Sequence, residues 1–260
     1  GLESMMELKG RVLITAGPTR EPLDPVRYLS NASTGAQGVA LAEEALQRGW
    51  AVDLVHGPME VPLPERVTAH AALTAAQLLE VCRKLHPACD LVIGAAAVCD
   101  VRPVSPLGMK RKRGADPWIL ELAPTEDILA DLGKRKGNKI HVGFALETED
   151  LLENAARKLA AKNLDWLVAN PASAIGAGQA HYFILGSDGS TGDLGTITKR
   201  ELARKLFEAI ELVRSPGGGV ACGVEAAAAH TVCVVAMHES AQEIVRFPAL
   251  LRRGHPEDRI

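Results

Sequence analysis

The chain is poor in aromatic residues, with three Trp, two Tyr and four Phe among 260 residues. So few rings leave little for base stacking, and 29 Lys and Arg against 32 Asp and Glu give no basic excess, so a nucleic-acid partner is not expected. The five cysteines, Cys82, Cys89, Cys99, Cys222 and Cys233, are odd in number, widely spaced and without a CxxC pair. That usage argues against a disulfide framework and for a reducing, cytoplasmic setting. Long apolar runs are missing as well. Ala226 to Met237, the longest nearly uncharged run, is too short for a bilayer, and GLESMMELKG at the N-terminus lacks the apolar centre of a signal peptide, so no membrane association is expected.

What is present is alternation. Runs rich in Val, Ile and Leu at Val12–Ala16, Val52–His56, Leu91–Ala95, Lys139–Phe144 and Trp166–Ala169 read as strands, with helical periods near 36–48, 74–86, 125–134, 149–163 and 199–213. This order predicts an α/β fold, a Rossmann-like, doubly wound, mostly parallel sheet with helices on both faces. His181–Leu185 and Leu194–Ile197 flank GSDGSTGD and predict a late β-hairpin at the sheet edge. Val98–Gly114 interrupts the rhythm with Pro103, Pro106 and a basic cluster, and reads as an excursion over the carboxyl edge where such sheets bind ligands. Residues 1–8 read as an N-terminal extension, 9–214 as the working domain, and 215–260 as a Gly-rich linker and tail of unassigned role. In that tail Cys222, His230, Cys233 and His238 fit no closed zinc spacing.

The stretch VLITAGPTREPLDPVRYLSNASTGAQGVAL, Val12 to Leu41, runs from an apolar strand through a long polar loop to a Gly-punctuated helix start. Ser33, Thr34, Gly35 and Gly38 open the helix that begins at Ala36, and its N-terminus offers unpaired N–H donors and partial positive charge to an anion. A dinucleotide site would need GxGxxG straight after the first strand and an acidic residue ending the second. Here a long loop precedes STGAQG and the second strand ends in His56-Gly57-Pro58, so both requirements fail. A plainer reading keeps the glycines as turn and cap residues.

A second candidate is Gly94-Ala95-Ala96-Ala97-Val98-Cys99-Asp100, where small residues past a strand end let a ligand approach the backbone. Asp100 there can accept from a sugar, amine or ammonium group, or serve only as a turn residue. Cys99 has no identifiable base and reads as a small core residue. Lys110-Arg111-Lys112-Arg113 offers a cation that can swing onto a phosphate, although charge alone favours a solvated loop. Lys158 and Lys162, four apart on one helix face, can meet one polyphosphate or simply complement the helix dipole. Phe144 can cover a base or pack in the core.

Taken together, ITAGPTREPLDPVRYLSN with STGxxG, GAAAVCDVRP, the MKRKRG loop, LAPTEDIL, VGFALET, ARKLAAKNLDWLVAN and TKREL resemble the phosphopantothenoylcysteine synthetase family over about residues 9 to 213. The likeness is to the carboxyl-terminal half of the bacterial bifunctional coenzyme A enzymes. The resemblance implies a ligase that joins 4'-phosphopantothenate to L-cysteine through an acyl-cytidylate, using CTP and releasing CMP and pyrophosphate. It implies catalytic roles for Asn31 and Lys110, and a CTP pocket of Gly94, Ala95, Ala96, Asp100, Lys110, Glu126, Asp127, Ile128, Leu129, Phe144, Lys158 and Lys162. Asn31, Ser33, Thr34, Gly35 and Ala97 fall on the acid-substrate side. A divalent cation, Mg2+ or Mn2+, is implied without identifiable ligands, as are a homodimer and fusion to or association with a flavin-dependent decarboxylase. No flavin is expected in this segment. Three positions depart from the family pattern: Ala36 stands where lysine is usual, Cys99 where alanine is, and Pro171 where aspartate is common. ATP-driven ligation and a non-catalytic nucleotide-binding module remain the alternatives.

Overall fold

The computed structural model describes residues 8–114, 116–147, 150–171 and 178–214. Chain order begins with β1 (Arg11–Ala16), a small hairpin of β2 (Arg20–Asp24) and β3 (Arg27–Ser30), α1 (Ala36–Gln47), β4 (Ala51–His56), β5 (Thr68–Ala71) and α2 (Ala75–Leu85). It continues through β6 (Leu91–Gly94), a second hairpin of β7 (Val101–Pro103) and β8 (Leu122–Pro124), then α3 (Ile128–Gly133) and β9 (Ile140–Glu147). α4 (Leu151–Ala161), β10 (Trp166–Pro171), β11 (Gln179–Gly186), β12 (Thr191–Thr198) and α5 (Lys199–Arg214) complete it.

One sheet has the order β12-β11-β10-β9-β6-β1-β4-β5. From β10 to β5 all neighbours are parallel, whereas β11 and β12 add antiparallel strands at one edge. This is the Rossmann-like α/β fold with its late hairpin. A parallel strand covered on both faces must be apolar on both, and β1 shows it: Val12, Ile14 and Ala16 meet the core under α1 and α5, while Leu13 meets that under α2 and α3. α4 covers β9 and β10 through Ala155, Leu159 and Leu167. α2 starts where Thr74 and Gln77 form a reciprocal capping box.

Several elements differ from the sequence reading. The loop after β1 contains the β2–β3 hairpin, because Asp24 accepts the N–H groups of Val26 (2.9 Å) and Arg27 (3.0 Å) and closes a tight turn despite Pro22 and Pro25. The Val98–Gly114 excursion contains β7, which pairs with the distant β8. β5 is a short polar edge strand without apolar alternation. α3 starts only at Ile128, since the Asp127 side chain caps it. β9 runs three residues past Phe144. The residues from 215 onward, including the cysteine and histidine set of the tail, lie outside the described residues.

Candidate functional site

From β1 the chain winds through β4 to β5 on one side, and from β6 through β9 to β10 on the other. The reversal leaves a crevice at the carboxyl ends of β1 and β6. A cleft of about 720 Å3 opens there. Thr15, Val92 and Gly94 line it from the sheet, Ile128, Leu129 and Leu132 from α3, and Phe144, Ala145 and Leu146 from β9. Polar groups gather round it: Asn31, Asp100, Thr125, Glu126, Asp127, Lys158 and Lys162. A Cβ on Gly94 would sit 2.6 Å from Leu129 Cδ1, so glycine is what lets α3 close over this strand end.

Hydrogen bonds set the polar groups. Asn31 Nδ2 donates to Val98 O (2.8 Å), joining the end of the β2–β3 hairpin to the alanine segment after β6. Thr125 Oγ1 donates to Cys99 O (2.6 Å) and its N–H to Asp100 O (2.9 Å), fixing the peptide that carries Asp100. Asp127 Oδ1 accepts the Ala130 N–H at 3.0 Å, while Oδ2 meets Lys162 Nζ at 3.0 Å. Lys162, at the C-cap of α4, therefore faces the capped start of α3, and Lys158 lines the same cleft one turn earlier.

Of the residues expected at the site, Asn31, Gly94, Ala96, Ala97, Asp100, Glu126, Asp127, Ile128, Leu129, Phe144, Lys158 and Lys162 line this one cleft. Ala95 packs against the opposite core instead. Ser33, Thr34 and Gly35 also lie off the cleft lining. Their helix start is less open to an anion than the sequence suggests: Ser33 Oγ accepts the Gly35 N–H and Thr34 Oγ1 the Ala36 N–H, both at 3.3 Å. The Met59 side chain fills the space over Gly17 and Gly35, where a Cβ would meet its Cγ at 2.9 and 2.8 Å. That space adjoins the start of α1 and lies outside the cleft lining.

Lys110 is exposed and does not line the cleft. Its loop is nevertheless tethered. The Arg111 N–H donates to Asp24 Oδ2 (3.3 Å), Arg27 Nη1 pairs with the same oxygen (2.6 Å), and Trp118 lies against Arg111 at 4.9 Å. Burial would push the Asp24 carboxyl up, but the N–H groups of Val26, Arg111 and Arg27 and the Arg27 guanidinium outweigh it and hold it below the ordinary carboxylate range. The sequence reading did not single out this anchor, nor Thr15 and Thr125 of the cleft; the turn-forming Asp24-Pro25 was the one visible signal for the anchor.

Burial keeps the described thiols protonated: Cys82 is pushed up to about 12, Cys89 to about 11, and Cys99 is also raised. None is an activated nucleophile. Among the described residues no group of three or more His, Cys, Asp or Glu could hold a metal ion. A magnesium that travels with a triphosphate needs only one or two carboxylates besides waters and phosphates, which Asp100 and Glu126 can supply. No helix among the described residues is long and apolar enough to cross a membrane.

Comparison with known proteins matches residues 8–213 to the family described as DNA/pantothenate metabolism flavoprotein C-terminal domain. The chain belongs to this family. It is 40% identical over 222 residues to the coenzyme A biosynthesis bifunctional protein CoaBC of Bacillus subtilis, covering 83% of this chain and 55% of that protein. It is 46% identical over 173 residues to a cysteine/cysteine sulfinic acid decarboxylase of an unknown prokaryotic organism, covering 66% and 48%. The chain thus spans about half the length of these curated relatives. Among solved structures, the C-terminal domain of a CoaBC superposes with a TM-score of 0.70 at 37% identity, covering 80% of this chain and 96% of that domain. For a member of this family, the gathering of Asn31, Asp100 and the two α4 lysines round one cleft is the feature that bears on chemistry.

Proposed function

We propose that the chain is a phosphopantothenate–cysteine ligase that activates its acid with CTP. The observation that carries the reading is the cleft at the strand-order reversal, with an amide on one wall and two lysines on the other, in a chain similar to the synthetase half of CoaBC. A free carboxylate does not condense with an amine because its leaving group is too poor. In the proposed reaction the 4'-phosphopantothenate carboxylate attacks the α-phosphate of CTP and expels pyrophosphate. The cysteine amine then attacks the acyl carbon and expels CMP, the amine proton passing to solvent or phosphate.

Each wall has a task in this scheme. Lys158 and Lys162 hold the triphosphate, and the start of α3 with Asp100 holds the nucleoside. Magnesium, when bound with the nucleotide, spreads phosphate charge. Asn31 supplies an amide N–H to the acyl-cytidylate, and Phe144 with the α3 leucines keeps water from that anhydride. Lys110 comes in from the tethered loop as charge develops on the leaving phosphate. Exposed apolar side chains on the two small hairpins, Val26, Tyr28, Val101 and Leu122, support the homodimer expected from the family resemblance.

Asn31→Asp tests the reading, because a carboxylate repels the intermediate's phosphate where the amide donates to it. The variant is expected to bind CTP yet form the ligated product, followed by mass spectrometry, at least about tenfold more slowly. Wild-type product formation by the variant would contradict the assignment. Nucleotide-independent release of carbon dioxide from cysteine would point instead to the activity named for the decarboxylase relative.

A further inference from the structure

Thr19 is fully buried, yet it is a polar residue on no wall of the cleft. Burying a hydroxyl is costly unless it is bonded, and every polar atom of Thr19 is engaged. Its Oγ1 accepts the Cys99 N–H at 2.9 Å. Its carbonyl accepts the Ser30 hydroxyl at 2.8 Å and the Cys99 thiol at 3.7 Å, and its own N–H donates to Ala97 O at 3.4 Å. Ser30 directly precedes Asn31, and Cys99 directly precedes Asp100. The Cys99 peptide is gripped from its other side by the Thr125 hydroxyl at 2.6 Å.

From this geometry we infer that Thr19 is a positioning residue that sets Asn31 and Asp100 relative to one another, resting on the ligase reading above. The two polar groups come from segments nearly seventy residues apart in sequence. At the cleft those segments meet through the Asn31 side-chain bond to Val98 O, which a bound ligand competing for the amide would break, and through the Asn31 backbone N–H, which faces the Cys99 sulfur. Thr19 bonds to both segments from behind the cleft, out of a ligand's reach, so the spacing survives when that amide turns to the substrate. The two arms of the junction are separable. Thr19 Oγ1 acts on Cys99 and hence on Asp100, the nucleotide side. The Ser30 hydroxyl acts on the neighbouring Asn31, the intermediate side.

Steady-state pyrophosphate release with CTP, 4'-phosphopantothenate and cysteine tests the junction in Thr19→Val, Thr19→Ser and Ser30→Ala. Thr19→Val keeps the shape and removes the acceptor; it is expected to raise KM for CTP about tenfold with kcat nearly unchanged, and Thr19→Ser to restore the wild-type value. Ser30→Ala, at an exposed strand end where folding is not at stake, is expected to lower kcat about tenfold with KM for CTP unchanged. A merely structural role would lower the melting temperature and the active fraction in both variants without that split, and would overturn the inference, as would wild-type kinetics in both. An inactive wild-type protein would overturn the ligase reading and this inference with it, whereas an active wild type without the split overturns the inference alone.

Discussion

Lys162 Nζ lies 3.0 Å from Asp127 Oδ2, so the end of α4 is paired with the residue that caps α3. The side chains keep 27% and 45% of their exposure, so solvent screens the pair and it contributes little to stability. Its consequence is for binding, because a triphosphate reaching Lys162 must displace a carboxylate.

Asp127→Asn separates the two roles of that carboxyl group. Asparagine caps a helix as well as aspartate does, so α3 keeps its start, while the competing charge on Lys162 is removed. Calorimetric titration at low salt should show CTP binding tightened roughly threefold to tenfold, with the gain shrinking as salt rises. Weaker binding in the variant would mean that the Asp127 charge serves the nucleotide or its magnesium.

Lys110 is exposed and stands between Leu107 and Arg111, whose N–H groups are held at Leu23 O and Asp24, so its backbone has a fixed root from which a long side chain reaches out. A cation delivered from such a root acts when charge develops. Lys110→Gln should therefore reduce kcat by about tenfold or more while the CTP dissociation constant changes less than about threefold. A loss confined to affinity would make Lys110 an ordinary binding residue.

The α/β sheet was legible because each inner strand is covered on both faces, which forces continuous apolar runs such as Val12–Ala16. The two hairpins were not, because bonds between distant segments tie them together, among them the Arg111 N–H to Asp24 Oδ2 and the Leu107 N–H to Leu23 O. The cleft residues showed themselves by position, as Asp100 did just after a strand end. Thr19 and Thr125 did not, since a loop threonine carries no sign of the peptide it will meet roughly eighty or twenty-five residues away. Met59 over Gly17 and Gly35 was likewise invisible until β1 and β4 were set side by side.

Acid should act on a buried histidine pair outside the cleft lining. His86 Nε2 and His141 Nε2 lie 3.1 Å apart, a bond that requires one of the two nitrogens to lack a proton. Burial, then His86 and the Lys136 and Lys139 cations, lower His141 from 6.5 to about 3. The unfolded chain therefore binds an extra proton between those values, and the stability present above pH 6.5 is lost as pH falls toward 3. Urea unfolding should show a slope near 1.4 kcal/mol per pH unit in that window from this proton, and His141→Gln should flatten it. An unchanged slope in the variant would contradict the assignment.

Pyrophosphate release from the purified protein with magnesium and 4'-phosphopantothenate, comparing CTP with ATP and each with and without cysteine, tests the ligase reading most directly. The account predicts sustained turnover on CTP that depends on cysteine, and little on ATP. Preference for ATP would contradict the nucleotide assignment, and no release with either nucleotide would contradict the ligase itself.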